Sequence, residues 1–148
     1  MTIHFSIHYD GEIFVNSHTD LMGITYVGPK GLLKQLELRA GLHTEVKSDV
    51  EREAEYLYAM TPCVCGTMFE KAFNVDKIGV AGKLLGWRDN LIMAGWNGEC
   101  DDLKAKKLTI LATIEQNFHS SGIADAWVKV RDAYKSADML RDRVDAIV

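Results

Sequence analysis

Apolar and polar residues alternate at the start of the chain, where Ile3, Phe5, Ile7 and Tyr9 take turns with His4, Ser6, His8 and Asp10. That is the period of a strand with one face on a core. Asp10-Gly11 offers a two-residue hairpin turn, and Ile13, Phe14 and Val15 supply a returning strand. After the polar connection from Asn16 to Asp20, the β-branched and aromatic run Ile24 to Val27 predicts a third strand beside the hairpin. Everything past Gly31 has the spacing of helices or turns. The fold class expected is therefore α+β and mostly helical: a small N-terminal sheet of hairpin plus one strand, then a helical array.

Leu32, Leu33, Leu36 and Ala40 mark a first helix that Gly41 stops. Ser48-Asp-Val-Glu51 is a capping box opening a second helix through Val50, Ala54, Leu57 and Tyr58 to about Met60, which Thr61-Pro62 ends. Met68, Phe69, Ala72 and Phe73 predict a short third helix. Asn74 is the expected cap of the long pattern from Val75 to Gly98, in which Ile78, Ala81, Leu85, Ile92 and Trp96 share one side. Gly79, Gly82 and Gly86 lie inside it. Each weakens a helix by about 1 kcal/mol relative to alanine, so the expectation is that another backbone approaches closely there. Leu103 to Phe118 and Ile123 to Tyr134 predict two more helices. The chain stops on Ala-Ile-Val148 without a polar tail, which suggests the N-terminal piece of a longer protein. Residues 1–148 are read as one domain, with a β-rich part at 1–30 and a helical part at 31–148.

The joint between sheet and helices carries candidate chemistry. Gly28-Pro29-Lys30-Gly31 lies between a strand and a helix, the order used by phosphate-binding loops, because a helix start offers unpaired N–H groups and a positive dipole end. This also makes a truncated P-loop-like α/β domain conceivable. Gly28, Lys30 and Gly31 are the anion-binding candidates. A hydrolytic loop, however, needs Lys and then Ser or Thr after its second glycine, and Leu32 and Leu33 stand there. In the register that uses Gly23 and Gly28, Pro29 replaces the lysine and Lys30 the hydroxyl residue. A plain turn between strand and helix is the competing reading.

At 148 residues the chain can bury a full core without disulfides or metal. A net charge of -4 gives no global pull toward nucleic acid or anionic lipid, leaving only local basic patches. Lys104, Lys106 and Lys107 form one such patch, a candidate DNA contact and equally the pattern of a solvated helix face. Trp87, Arg88 and Trp96 are interface candidates, and Arg88 with Asp89 is read as a solvated pair, charged groups being costly to bury, with a buried or interfacial ion pair as the alternative. Cys63, Cys65 and Cys100 are spaced for thiols rather than for a zinc knuckle or a disulfide framework. His4 and His8 lie roughly 13 Å apart on an extended strand at about 3.3 Å per residue, too far for one metal. No metal site, cofactor or catalytic set is expected within these residues. No apolar run approaches the length of a membrane span and the N-terminus lacks a signal pattern, so no membrane partner and a cytoplasmic location are expected.

Three stretches together resemble the start of a large bacterial exonuclease subunit of the RexB/AddB type. They are Tyr26-Val-Gly-Pro-Lys-Gly-Leu-Leu-Lys-Gln-Leu-Glu37, the Val50 to Met60 helix with Glu51 and Tyr56-Leu57, and the segment from Phe73 that ends Trp87-Arg-Asp-Asn-Leu-Ile-Met-Ala-Gly-Trp-Asn-Gly98. The resemblance covers residues 24–100. It implies a helicase-like N-terminus without ATPase activity, a PD-(D/E)xK nuclease far beyond residue 148, and a role in DNA double-strand-break repair with a motor helicase subunit and DNA as partners. The family's nuclease carboxylates and iron–sulfur cysteines would also lie beyond residue 148, so no catalytic residue is carried over. The alternative is a free-standing α+β module that binds a protein or small ligand through the Trp87 and Trp96 region.

Overall fold

A computed structural model describes residues 2–10, 23–100, 105–136 and 146–147. The mostly helical α+β class is borne out, and the chain divides into two compact units: Met1–Thr44 with Lys129–Val148, and Glu45–Val128. These boundaries differ from the compositional one at 30/31, which marks only where the first strands give way to helix.

The first unit holds the sheet. β1 (Thr2–Phe5) and β2 (Ile24–Val27) pair in parallel, Ile3 opposite Thr25 and His4 opposite Tyr26. β3 (Ala146–Ile147) lies parallel on the other side of β1, so the order is β2-β1-β3. The alternation up to Tyr9 overstates the strand: residues 7–10 form a turn, in which the Tyr9 amide donates to the Ser6 carbonyl at 3.1 Å. Both neighbours of β1 are parallel, not the antiparallel partner of a hairpin, and the expected return strand Ile13–Val15 lies outside the described residues. β3 is a strand within the span expected to be helical. Ile3 is fully buried and Val27 nearly so, and His4 stacks on Tyr26 on the opposite face at 5.0 Å.

β2 runs through Gly28 into α1 (Pro29–Ala40), with proline in the first turn where a missing N–H is harmless. Gly41 closes it at φ 67°, its amide bonding the Glu37 and Leu38 carbonyls.

The second unit is helical. The capping box forms: Ser48 Oγ accepts from the Glu51 amide at 3.3 Å and Glu51 Oε2 from the Ser48 amide at 3.0 Å, starting α2 (Asp49–Met60). As expected, α2 ends at Met60 before Thr61-Pro62, where the chain tightens into a 3-10 turn, Thr61–Cys63. α3 (Glu70–Val75) begins two residues later than its apolar stripe. α4 (Lys77–Met93) is capped by Asp76 rather than Asn74, the Asp76 carboxylate accepting from the Gly79 amide at 2.9 Å. α5 (Lys106–Glu115) follows, and α6 (Ile123–Ser136) starts in this unit and passes into the first.

Tyr56 and Met60 of α2, Leu84 of α4 and Ile114 of α5 are fully buried at the centre of the helical unit. Each such side chain contributes about 1.5–3 kcal/mol by leaving water. The glycines of α4 do not admit a neighbouring backbone. At Gly79 the absent side chain leaves room for the capping Asp76 carboxylate, at Gly82 a Cβ would lie 3.1 Å from Glu53 Oε1, and at Gly86 it would meet nothing within 4 Å.

Two substitutions separate these roles. Gly86→Ala should stabilise the chain by about 0.5–1 kcal/mol, since it removes unfolded-state entropy without a clash. Leu84→Ala should destabilise it by about 2–5 kcal/mol through the cavity left behind. Urea unfolding measures both; a destabilising Gly86→Ala would mean that this face of α4 is covered.

Candidate functional site

The strand, glycine and helix order at residues 24–40 forms as expected, and the helix start is closed. The first amides of α1 point at the carboxylate of Asp10, which accepts from Lys30 N–H at 2.5 Å and from Gly31 N–H at 3.0 Å. Gly28 is required for this, because a Cβ there would run into the Asp10 side chain and its backbone nitrogen. The positive end of the helix is thus satisfied by an internal carboxylate in the place a phosphate would take. Gly28, Lys30 and Gly31 are therefore not an open anion site: their geometry is right, but Asp10 occupies it. Leu33 is buried and Leu32 half-buried, while the Lys30 side chain is exposed. Asp10 escaped the sequence reading because its Asp-Gly pair signals a turn and nothing local ties it to a loop some twenty residues on.

Arg88 is the second correction. Rather than half of a solvated pair, it is 4% exposed and sits in a buried charge cluster, the alternative of a buried Arg88–Asp89 pair being the one found. Its Nε and Nη2 donate to Glu115 at 2.9 and 2.6 Å, and its Nη1 donates to Asp125 at 2.8 Å and to Asp89 at 3.1 Å. Arg52 of α2, equally buried, makes a bidentate pair with Asp89, both bonds 2.8 Å. A side chain at Gly122 would collide with the Arg52 guanidinium, and the Gly122 amide donates to Asp125 at 2.7 Å. The Phe118 ring lies 5.4 Å from the Arg88 guanidinium and meets Tyr56 edge-on. Burial pushes the Tyr56 hydroxyl well above the usual phenol range, so it stays protonated.

Burial alone would raise the Asp125 carboxyl. Hydrogen bonds from Arg88 and the Gly122 amide, with the charges of both arginines, outweigh that and hold it below its ordinary value. Every carboxylate of the cluster is engaged by a guanidinium, so none is poised as a general base and the arrangement is structural. Arg88 beside Asp89 is visible in the sequence; Arg52, Glu115 and Asp125 have no spacing that marks them as its partners.

The remaining candidates lie apart from this cluster. Trp87 is partly buried, with the Lys83 and Lys107 ammonium groups 5.7 and 5.6 Å from its ring centre and Phe69 edge-on. Lys107 is thus engaged with an aromatic face, Lys106 is exposed, and Lys104 lies outside the described residues. Trp96 directs its indole N–H to the Glu99 carbonyl at 2.6 Å. None of the three cysteines is in a disulfide, and Cys63 Sγ lies 3.5 Å from the Ala59 carbonyl. Among the described residues no group of three or more His, Cys, Asp or Glu side chains could hold a metal ion, and no helix is long and apolar enough to cross a membrane. A cleft of about 370 Å³ is lined by Ala54, Glu55 and Tyr58 of α2 and by Asn117, Phe118 and His119.

Compared with protein-family models, curated proteins and solved structures, the chain matches none.

Arg88→Ala should destabilise the chain by about 3 kcal/mol, because it leaves the partly buried Glu115 without its guanidinium and takes one from Asp125 and Asp89. Acid should act through the same cluster. The depressed Asp125 carboxyl stabilises fully above its unfolded value of 3.8, and that contribution disappears as pH falls through the lower folded value. Thermal melting should therefore be steady from neutrality to about pH 5 and fall below 3.8. Asp125→Asn, less stable at neutral pH, should lose less on acidification; an identical acid profile in that variant would remove Asp125 from the account.

Proposed function

We propose that this chain is a noncatalytic, helicase-like N-terminal region of a DNA double-strand-break repair exonuclease subunit of the RexB/AddB type. It docks the subunit to its motor partner and guides DNA. The observation that carries this reading is the Asp10 carboxylate on the first amides of α1. A strand of a parallel sheet leads through a glycine-rich joint into a helix, as in a nucleotide motor, and the phosphate position is filled by the protein itself. Leu32 and Leu33, in place of the cation and the hydroxyl, support the same conclusion: the loop is a remnant with a structural use. Lys106 and the Lys83–Trp87–Lys107 group supply the basic and aromatic chemistry that a DNA strand would touch. The alternative module, binding through Trp87 and Trp96, is weakened by the burial of Arg88 between them and by the internal bond of the Trp96 indole.

Calorimetric titration with ATP and Mg²⁺ should give no heat of binding for the wild-type chain. Asp10→Ala should lower stability by about 1 kcal/mol, as loss of a helix cap does, without restoring hydrolysis. In the full-length subunit with its motor partner, ATP-dependent digestion of linear duplex DNA should survive Asp10→Ala, because the loop takes no part in turnover. Tight Mg²⁺-dependent ATP binding by the wild-type chain, or loss of digestion in a folded Asp10→Ala subunit, would overturn the proposal.

A further inference from the structure

The inward face of α2 carries Arg52, Tyr56, Ala59 and Met60, all buried. Its outward face is not the polar surface that a helix with a satisfied core side normally shows. Val50 is 77% and Tyr58 85% exposed, with exposed Ala54 midway between them. Steps of four residues set the three on one stripe, about 12 Å long at 1.5 Å per residue. Ala54 and Tyr58 of the stripe, with Glu55, form one wall of the cleft whose other wall is Asn117, Phe118 and His119, and Val50 extends the stripe beyond it. Single exposed apolar residues are ordinary; a stripe that continues into a cleft is the form of a binding groove.

The charge around the stripe selects its occupant. Glu53 lies on one side and Glu51 and Glu55 on the other, with Asp49 at the helix start. Of the neighbouring basic groups, Arg52 is turned into the buried cluster and Lys47 is ion-paired with Glu55. The apolar strip is thus bordered by net negative charge along both edges, Lys47 offsetting Glu55 alone. A second copy of the chain docked two-fold on this face would set carboxylates against carboxylates, and a nucleic acid would be repelled.

We propose that the outward face of α2 and its cleft form the docking groove for a basic amphipathic helix of a partner protein. Apolar side chains spaced i, i+4 on that helix lie along Val50, Ala54 and Tyr58, and flanking Lys or Arg residues meet the carboxylates. The cleft takes one large anchor side chain between Tyr58 and Phe118. This rests on the docking part of the function proposed above and names the surface that performs it.

The test is fluorescence anisotropy of the whole chain with a labelled synthetic helix of roughly 16 residues, about four turns, carrying leucines at i, i+4 and lysines on the flanks. Two further probes keep its length: one of the same composition in scrambled order, and one with glutamate for lysine. The patterned basic peptide should bind about tenfold more tightly than either control. Val50→Ser with Tyr58→Ser should weaken it about tenfold, Glu53→Gln with Glu55→Gln should weaken it less and flatten its salt dependence, and Ile78→Ser, on an exposed position of α4, should leave it unchanged. Circular dichroism confirms that each variant is folded.

Equal binding of the scrambled peptide, or no effect of the Val50/Tyr58 double change, would overturn the groove. Assembly of the full-length subunit with its motor that ignores the same double change would also overturn it, while leaving the repair-nuclease reading standing. Peptide discrimination without any association of the subunit with a motor would do the reverse.

Discussion

Two guanidinium groups buried among three carboxylates hold the helical unit together. Arg88 reaches Glu115 on α5 and Asp125 on α6, and Arg52 brings in α2 through Asp89, so four helices meet at one set of charges. Charges taken out of water are tolerated only when each finds a partner of good geometry, and this makes the arrangement demanding of position rather than merely attractive. Greasy side chains such as Leu84 and Ile114 fill space and can slide. A bidentate Arg52–Asp89 pair cannot, so the cluster fixes the register in which the apolar faces meet. Gly122 belongs to the same constraint, since any larger residue would displace the Arg52 guanidinium.

The sheet unit turns on a smaller electrostatic device with the same logic. A helix start leaves amides without partners, and something must meet them. In α1 no side chain from its own cap does so; Asp10, on the turn that follows β1, supplies both bonds and pins that turn to the helix start. The helix start is thereby a fixed joint between the turn and α1.

With the core side of α2 committed to packing and to Arg52, its outward stripe has no structural duty that explains its apolar character. Its acidic borders contrast with the Trp87 region, where lysines surround an aromatic ring. The two surfaces differ in sign and chemistry.

Local chemistry was written in the chain wherever it acts within a few residues. The Ser48–Glu51 box, the Gly41 stop, the Ile24–Val27 strand and the mostly helical α+β class follow from spacing alone, because capping, left-handed glycine and periodic burial are short-range effects. The extent of β1 and the shift of the α4 cap from Asn74 to Asp76 were decided by which of several adequate groups found a partner in three dimensions. Parallel pairing of β1 with β2 and β3 required residues far apart in sequence, about which alternation carries no information. The same holds for the two electrostatic joints: Asp10 with residues 30 and 31, and Arg88 with residues 115 and 125, are bonds between charges whose separation along the chain has no period. The residues determined which charges and helix ends were present; only the folded chain determined which of them meet, because pairing depends on distance through space.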